Sequence, residues 1–143
     1  MSATADHAEE RTNPAARLGF EPGQVVQEIG YDDDVDLDLR EGIETVIGQD
    51  LVDEEYDDVC DVVLLWFRDE DGDLTDALVD AIGLIDEGGQ IWLLTPKTGR
   101  DGYVEPSDIN EAAQTAGLSQ TKSINAGKDW AGSRLVTPKS GKR

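Results

Sequence analysis

Residues 59–96 limit what this chain can fold into more than any other stretch. Val59, Cys60 and the run Val62 to Phe67 are apolar, with Asp61 the single interruption. The run lacks the alternation of a half-exposed strand, so it predicts a strand covered on both faces. The acidic turn DEDGD ends it, with Gly72 as the pivot. From Leu74 the apolar positions Ala77, Leu78, Ala81, Ile82 and Ile85 recur in steps of three and four, which places them on one helical face. Asp73 or Thr75 suits the helix start, and Gly88-Gly89 is expected to supply a left-handed stop. Ile91, Trp92, Leu93 and Leu94 then read as the next buried strand. A strand–helix–strand crossover of this length returns parallel and right-handed in nearly all known cases. The expected class is therefore α/β.

The flanking segments extend that unit. Gln24–Ile29 reads as a first strand ending at Gly30, and Val35, Leu39, Ile43, Val46 and Ile47 trace a helical stripe that Gly48 closes. Residues 49–58 read as an acidic connection anchored by Leu51, Val52 and Tyr56. After a turn-rich loop over residues 97–105, Pro106 suits the first turn of a helix with Glu105 or Ser107 near its cap, and Gly117 ends it. Residues 118–124 and 130–136, separated by NAGKD, predict a C-terminal antiparallel hairpin. Residues 1–17 lack periodicity and are expected to form a disordered tail. Residues 18–136 are expected to form one domain, and residues 137–143 a short basic tail.

Charge narrows the range of partners. The chain of 143 residues carries a formal net charge of −20. The excess is uneven: residues 1–71 hold 22 acids and 4 bases, a net of −18, whereas residues 72–143 hold 10 acids and 8 bases, a net of −2. Such a surface repels nucleic acid and anionic membranes. Its plain reading is solubility or adaptation to salt, and its sharper one a basic protein surface as partner, while a small anionic ligand is expected only where bases gather locally. The lone Cys60, inside an apolar strand, fits a small buried hydrophobe in a reducing compartment. With no long apolar span and no leader pattern, the expected location is cytoplasmic.

The layout resembles a class I methyltransferase core, a Rossmann-like fold: EIGYDDD after a strand, DVVLLW, a helix, GGQIWLLTP, a helix closing in AGL, and a terminal hairpin. That resemblance implies a three-layer sandwich with a short, mostly parallel sheet, helices on both faces and the antiparallel hairpin. Its strand order would be that of the methyltransferase core without the second and third strands. It also implies S-adenosylmethionine as a cofactor, bound where the family's first strand ends in E-x-G-x-G-x-G. Here Glu28, Ile29 and Gly30 match, but Tyr31, Asp32 and Asp33 follow where bare backbone would admit the ligand. Over nearly its whole length the chain resembles an actinobacterial domain-of-unknown-function family of small acidic proteins, through LLWFRDEDGDLTDALVD, WLLTPKTGR, VEPSDINEAAQTAGLSQT and DWAGSRLV. That likeness brings no chemistry with it.

In an open parallel sheet, ligands bind beyond the carboxyl ends of the strands. Gly30-Tyr31, Arg68 and the loop Lys97, Thr98, Gly99 and Arg100 would converge there. Lys97 and Arg100 are suited to a phosphate or carboxylate, against the plainer reading of cations neutralising nearby acids. Trp66 and Trp130 would border the crevice. Asp32, Asp34 and Asp36, and again Asp69, Asp71 and Asp73, have D-x-D-x-D spacing, but Leu37 and Leu74 stand where a calcium loop needs glycine. The one histidine, His7, lies in the expected tail, so zinc sites and nucleophilic triads lack their parts. No catalytic set emerges. The expectation is a non-enzymatic binding or regulatory protein in which Tyr31 and its acidic neighbours fill the cofactor's room. The alternative is a small S-adenosylmethionine-dependent methyltransferase or nucleotide-binding enzyme using Glu28, Gly30 and the Lys97–Arg100 loop.

Overall fold

The computed structural model describes residue 15, residues 18–126 and residues 128–137. The strands are β1 (Val26–Ile29), β2 (Cys60–Trp66), β3 (Ile85–Pro96), β4 (Ser119–Asn125) and β5 (Trp130–Val136), and the helices are α1 (Leu37–Ile47), α2 (Leu74–Ile82) and α3 (Pro106–Ala116). The sheet runs β1-β2-β3-β5-β4. The β1–β2 and β2–β3 pairs are parallel, and β5 joins β3 and β4 antiparallel. This is the expected α/β sandwich, its hairpin appended to the parallel half.

The unbroken apolar run of β2 is explained by burial on both faces. Val62, Leu64 and Trp66 pack with Leu39, Ile43 and Ile47 of α1. Val63 and Leu65 pack with Leu78 of α2 and with Ile109 and Ala113 of α3. Each helix starts where the chain provides a stop for its free N–H groups. Asp36 accepts from Leu39 N at 3.0 Å, and Asp73 accepts from Asp76 N at 3.1 Å. In α3, Pro106 occupies the first turn behind Glu105.

Two expectations are corrected. Helix α2 ends at Gly83, not at Gly88-Gly89, and Ile85 already pairs with Cys60. The two glycines instead sit in a bulge of β3, where the register slips between Cys60 and Val62. A Cβ on Gly89 would lie 2.9 Å from the Asp61 carbonyl oxygen, so the backbones approach too closely for any other residue. The second correction concerns residues 49–58, which do more than connect. Val52 forms a parallel bridge with Gln27, donating to Val26 O and accepting from Glu28 N. The second strand of the expected methyltransferase layout is thus reduced to one residue and is not lost.

The bridge sets up the geometry of the site. After α1 the chain passes outside β1 at Val52, then returns to form β2 on the other side of β1. The direction of winding reverses between β1 and β2, the switch point where open α/β sheets bind ligands. The expected tail lies outside the described residues except Ala15, which is fully buried against the α1 face. His7 and residues 138–143 also lie outside them. No helix among the described residues is long and apolar enough to cross a membrane.

Candidate functional site

At the switch point the carboxyl ends of β1 and β2 meet over the side chain of Arg68, which is buried despite its charge. Its guanidinium donates to Gly30 O at 2.8 Å and Trp66 O at 3.3 Å, to both carboxylate oxygens of Asp34, and to Asp71 at 3.2 Å. It also lies 5.3 Å from the ring centroid of Trp130. Hydrogen bonding from Arg68 holds the Asp34 carboxyl below the usual carboxylate range. Burial works against the charged guanidinium, but its bonds to Asp34 and Asp71 hold its pKa above the ordinary arginine value.

A second charged cluster lies behind the first. Glu28, itself buried, takes both oxygens to Arg40, at 2.6 and 2.8 Å, and accepts from Trp66 Nε1 at 2.9 Å. Arg40 also sits 4.8 Å over the ring of Tyr31, which is 54% exposed. Trp66 meets Trp130 edge to face at 4.8 Å, and Trp130 Nε1 donates to Asp34 O. Gly30 is required where these groups converge: its φ is +84°, and a Cβ there would lie 2.3 Å from Trp66 O.

What remains open is a cleft of about 320 Å³ bordered by Gly30, Tyr31, Glu54, Trp66 and Arg68. Glu54, two residues past the Val52 bridge, accepts from Gly30 N at 2.9 Å. Sequence reasoning found Gly30, Tyr31 and Arg68 and gave the room to Tyr31 and its acidic neighbours; Tyr31 and Asp32 border the cleft, together with Arg68, which the neighbouring Asp34 holds. The clue was available, since Arg68 is the only base between Arg40 and Lys97 and directly follows an apolar strand. Glu54 carried no clue of its own, being one acid among several in residues 50–58.

Of the Lys97–Arg100 loop, only Arg100 reaches this cluster, where its charge adds to the lowering of the Asp34 pKa. Lys97 and Thr98 border a separate groove beside α3, Arg100 pairs with Asp129 at 3.1 Å, and Gly99 turns in open space. The aspartate repeats serve the fold: Asp36 and Asp73 cap helices, while Asp34 and Asp71 hold Arg68. Among the described residues no group of three or more metal-ligating side chains comes together.

Comparison with known proteins matches residues 15–139 to a family model described as "Protein of unknown function (DUF3052)". The chain belongs to the DUF3052 family. An uncharacterized protein of Mycobacterium tuberculosis is 55% identical over 141 residues, covering 97% of this chain and 87% of the relative, and one of Mycobacterium bovis matches equally. Among solved structures, the methyltransferase CcbJ of Streptomyces caelestis superposes with a TM-score of 0.56 at 12% identity, over 91% of this chain and 95% of that one. An O-methyltransferase from neocarzinostatin biosynthesis, in complex with S-adenosylmethionine and 2-hydroxy-5-methyl naphthoic acid, gives 0.65 at 13% identity, over 96% and 57%. At such identities the likeness establishes the methyltransferase fold and nothing about activity.

Proposed function

We propose that this DUF3052 protein is a non-catalytic acidic binding module, built on a methyltransferase fold whose cofactor crevice is partly filled by Arg68. The supporting observation is Arg68, whose guanidinium occupies the space beyond β1 and β2 and already engages Gly30 O. The other groups that would receive the amino-acid end of S-adenosylmethionine are engaged as well. Glu54 holds Gly30 N, and Arg40 with Trp66 takes the Glu28 carboxylate. Displacing the Arg68 guanidinium would leave the Gly30 and Trp66 carbonyls without that donor, an opposing cost of about 1–3 kcal/mol, while the half-exposed carboxylates of Asp34 and Asp71 would turn to water. This arrangement opposes the binding of that cofactor.

The partner in this reading is a basic protein surface. Exposed carboxylates of Asp32, Asp33, Asp38 and Glu41 beside α1, together with Asp50 and Asp53 along the β1 edge, form its acidic counterpart. Calorimetric titration of the full chain with S-adenosylmethionine and S-adenosylhomocysteine is the test. No heat up to about 1 mM is expected, and saturable micromolar binding would overturn the proposal. A second reading, a small S-adenosylmethionine-dependent enzyme, draws on the residual cleft and on Glu54, which stands just beyond the remnant strand where that fold carries an acid for the ribose. The same titration separates the two.

A further inference from the structure

The second groove lies away from the crevice, on the sheet face shared by α2 and α3, where α3 stops short of covering β4. It encloses about 420 Å³, within the range of small-molecule sites. Its floor is formed by Thr95 of β3 and Ser133 of β5. They share one face, because Leu93 is paired with Ser133 and Thr95 with Ala131. Both residues are almost completely buried, at 3% and 4% exposure. Among the described residues neither hydroxyl has a hydrogen-bond partner, although buried polar groups are nearly always paired.

The walls differ in character. Val104, Pro106 and Ile109 form an apolar side, while Gln120, Ser123 and Asn125 of the hairpin offer amide and hydroxyl groups. Among the described residues no aspartate or glutamate lines the groove, in a chain whose net charge is −20. The crevice at β1 and β2, by contrast, is bordered by Asp32, Glu54 and Asp71. Lys97 stands at the mouth and makes no salt bridge among the described residues, and the positive end of the α3 dipole opens beside it at Pro106.

We infer that this groove binds a small hydroxylated carboxylate, with the carboxylate at Lys97, the hydroxyl groups on Thr95 and Ser133, and the apolar face of the molecule against Val104 and Ile109. A single ammonium matches a monoanion. A phosphate dianion would call for the paired cations or forked guanidinium that the groove lacks. The inference does not depend on the state of the cofactor crevice.

The test is a titration of the full-length, isotopically labelled protein with 4-hydroxybenzoate and quinate, followed by amide NMR. Neutral 4-hydroxybenzamide and inorganic phosphate serve as comparison ligands. Saturable shifts of the Lys97, Ser123, Asn125 and Ser133 amides are expected with at least one of the two carboxylates, weaker by about tenfold or more in Lys97→Gln and unchanged in Tyr31→Ala. Lys97 is half-buried, and the rest of the variant's spectrum verifies that it retains the fold. Silence with both carboxylates, equal shifts from the benzamide or phosphate, or undiminished binding by Lys97→Gln would each overturn the inference.

Discussion

Arg68 and Asp34 illustrate how single residues settle matters that patterns leave open. The pair ties the end of β2 to the loop after β1, and Arg68 also satisfies Gly30 O and Trp66 O. Truncation by Arg68→Ala leaves those carbonyls without their donor, and a loss of about 1–3 kcal/mol in denaturant unfolding is expected. The pair also sets a pH response. Because the folded-state pKa of Asp34 is depressed, its stabilisation is fully present above its unfolded value of about 4 and is lost as pH falls through the lower folded value. In Asp34→Asn, unfolding free energies measured between neutral and acidic pH should therefore fall less steeply below about pH 4 than in the parent. Cys60 behaves oppositely: burial pushes its thiol up to about 11, with Sγ donating to Leu84 O at 3.4 Å. A thiol reagent at neutral pH should label it only at the rate at which the protein opens, and a stoichiometric fast reaction in the native state would contradict this.

At the scale of elements, caps and close approaches decide where strands and helices end. Asp36→Ala removes the acceptor for Leu39 N, and thermal unfolding should register about 1 kcal/mol lost. Gly30→Ala is a harsher change, because the new Cβ would overlap Trp66 O and the backbone is left-handed there. A loss of at least about 2 kcal/mol is expected, or a failure to accumulate folded protein on expression. The periodicity of residues 74–85 identified α2 and its buried face but overran its end. Ile85 continues the helical spacing, yet pairing with Cys60 draws it into β3, a tertiary contact that local pattern does not encode. The Val52 bridge escaped notice for a similar reason. One residue has no periodicity, and its hydrogen bonds to Val26 and Glu28 exist only once β1 is in place.

The whole molecule is governed by its charge. Mutual repulsion among the carboxylates of residues 1–71 opposes compaction, while the pair of Arg40 with the buried Glu28 is sheltered from screening. With the Arg40–Glu28 pair sheltered but the carboxylates of Asp34 and Asp71 half-exposed, raising sodium chloride to about 1 M should raise the melting temperature by a few degrees in scanning calorimetry, and a fall would show that ion pairs outweigh repulsion. The α/β class, the order of elements and the acidity were legible in residue types alone. Apolar periodicity and net charge are properties of the chain itself, whatever its conformation. The placing of Lys97 and Thr98 in a cleft apart from Gly30, Tyr31 and Arg68, the seating of Arg68 against Gly30 and Trp66, and the hydroxyls of Thr95 and Ser133 left without a partner among the described residues were decided only by tertiary structure. These depend on which backbone groups meet across the switch point and across the β3–β5 pairing, between residues tens of positions apart, and no local pattern along the chain records such meetings.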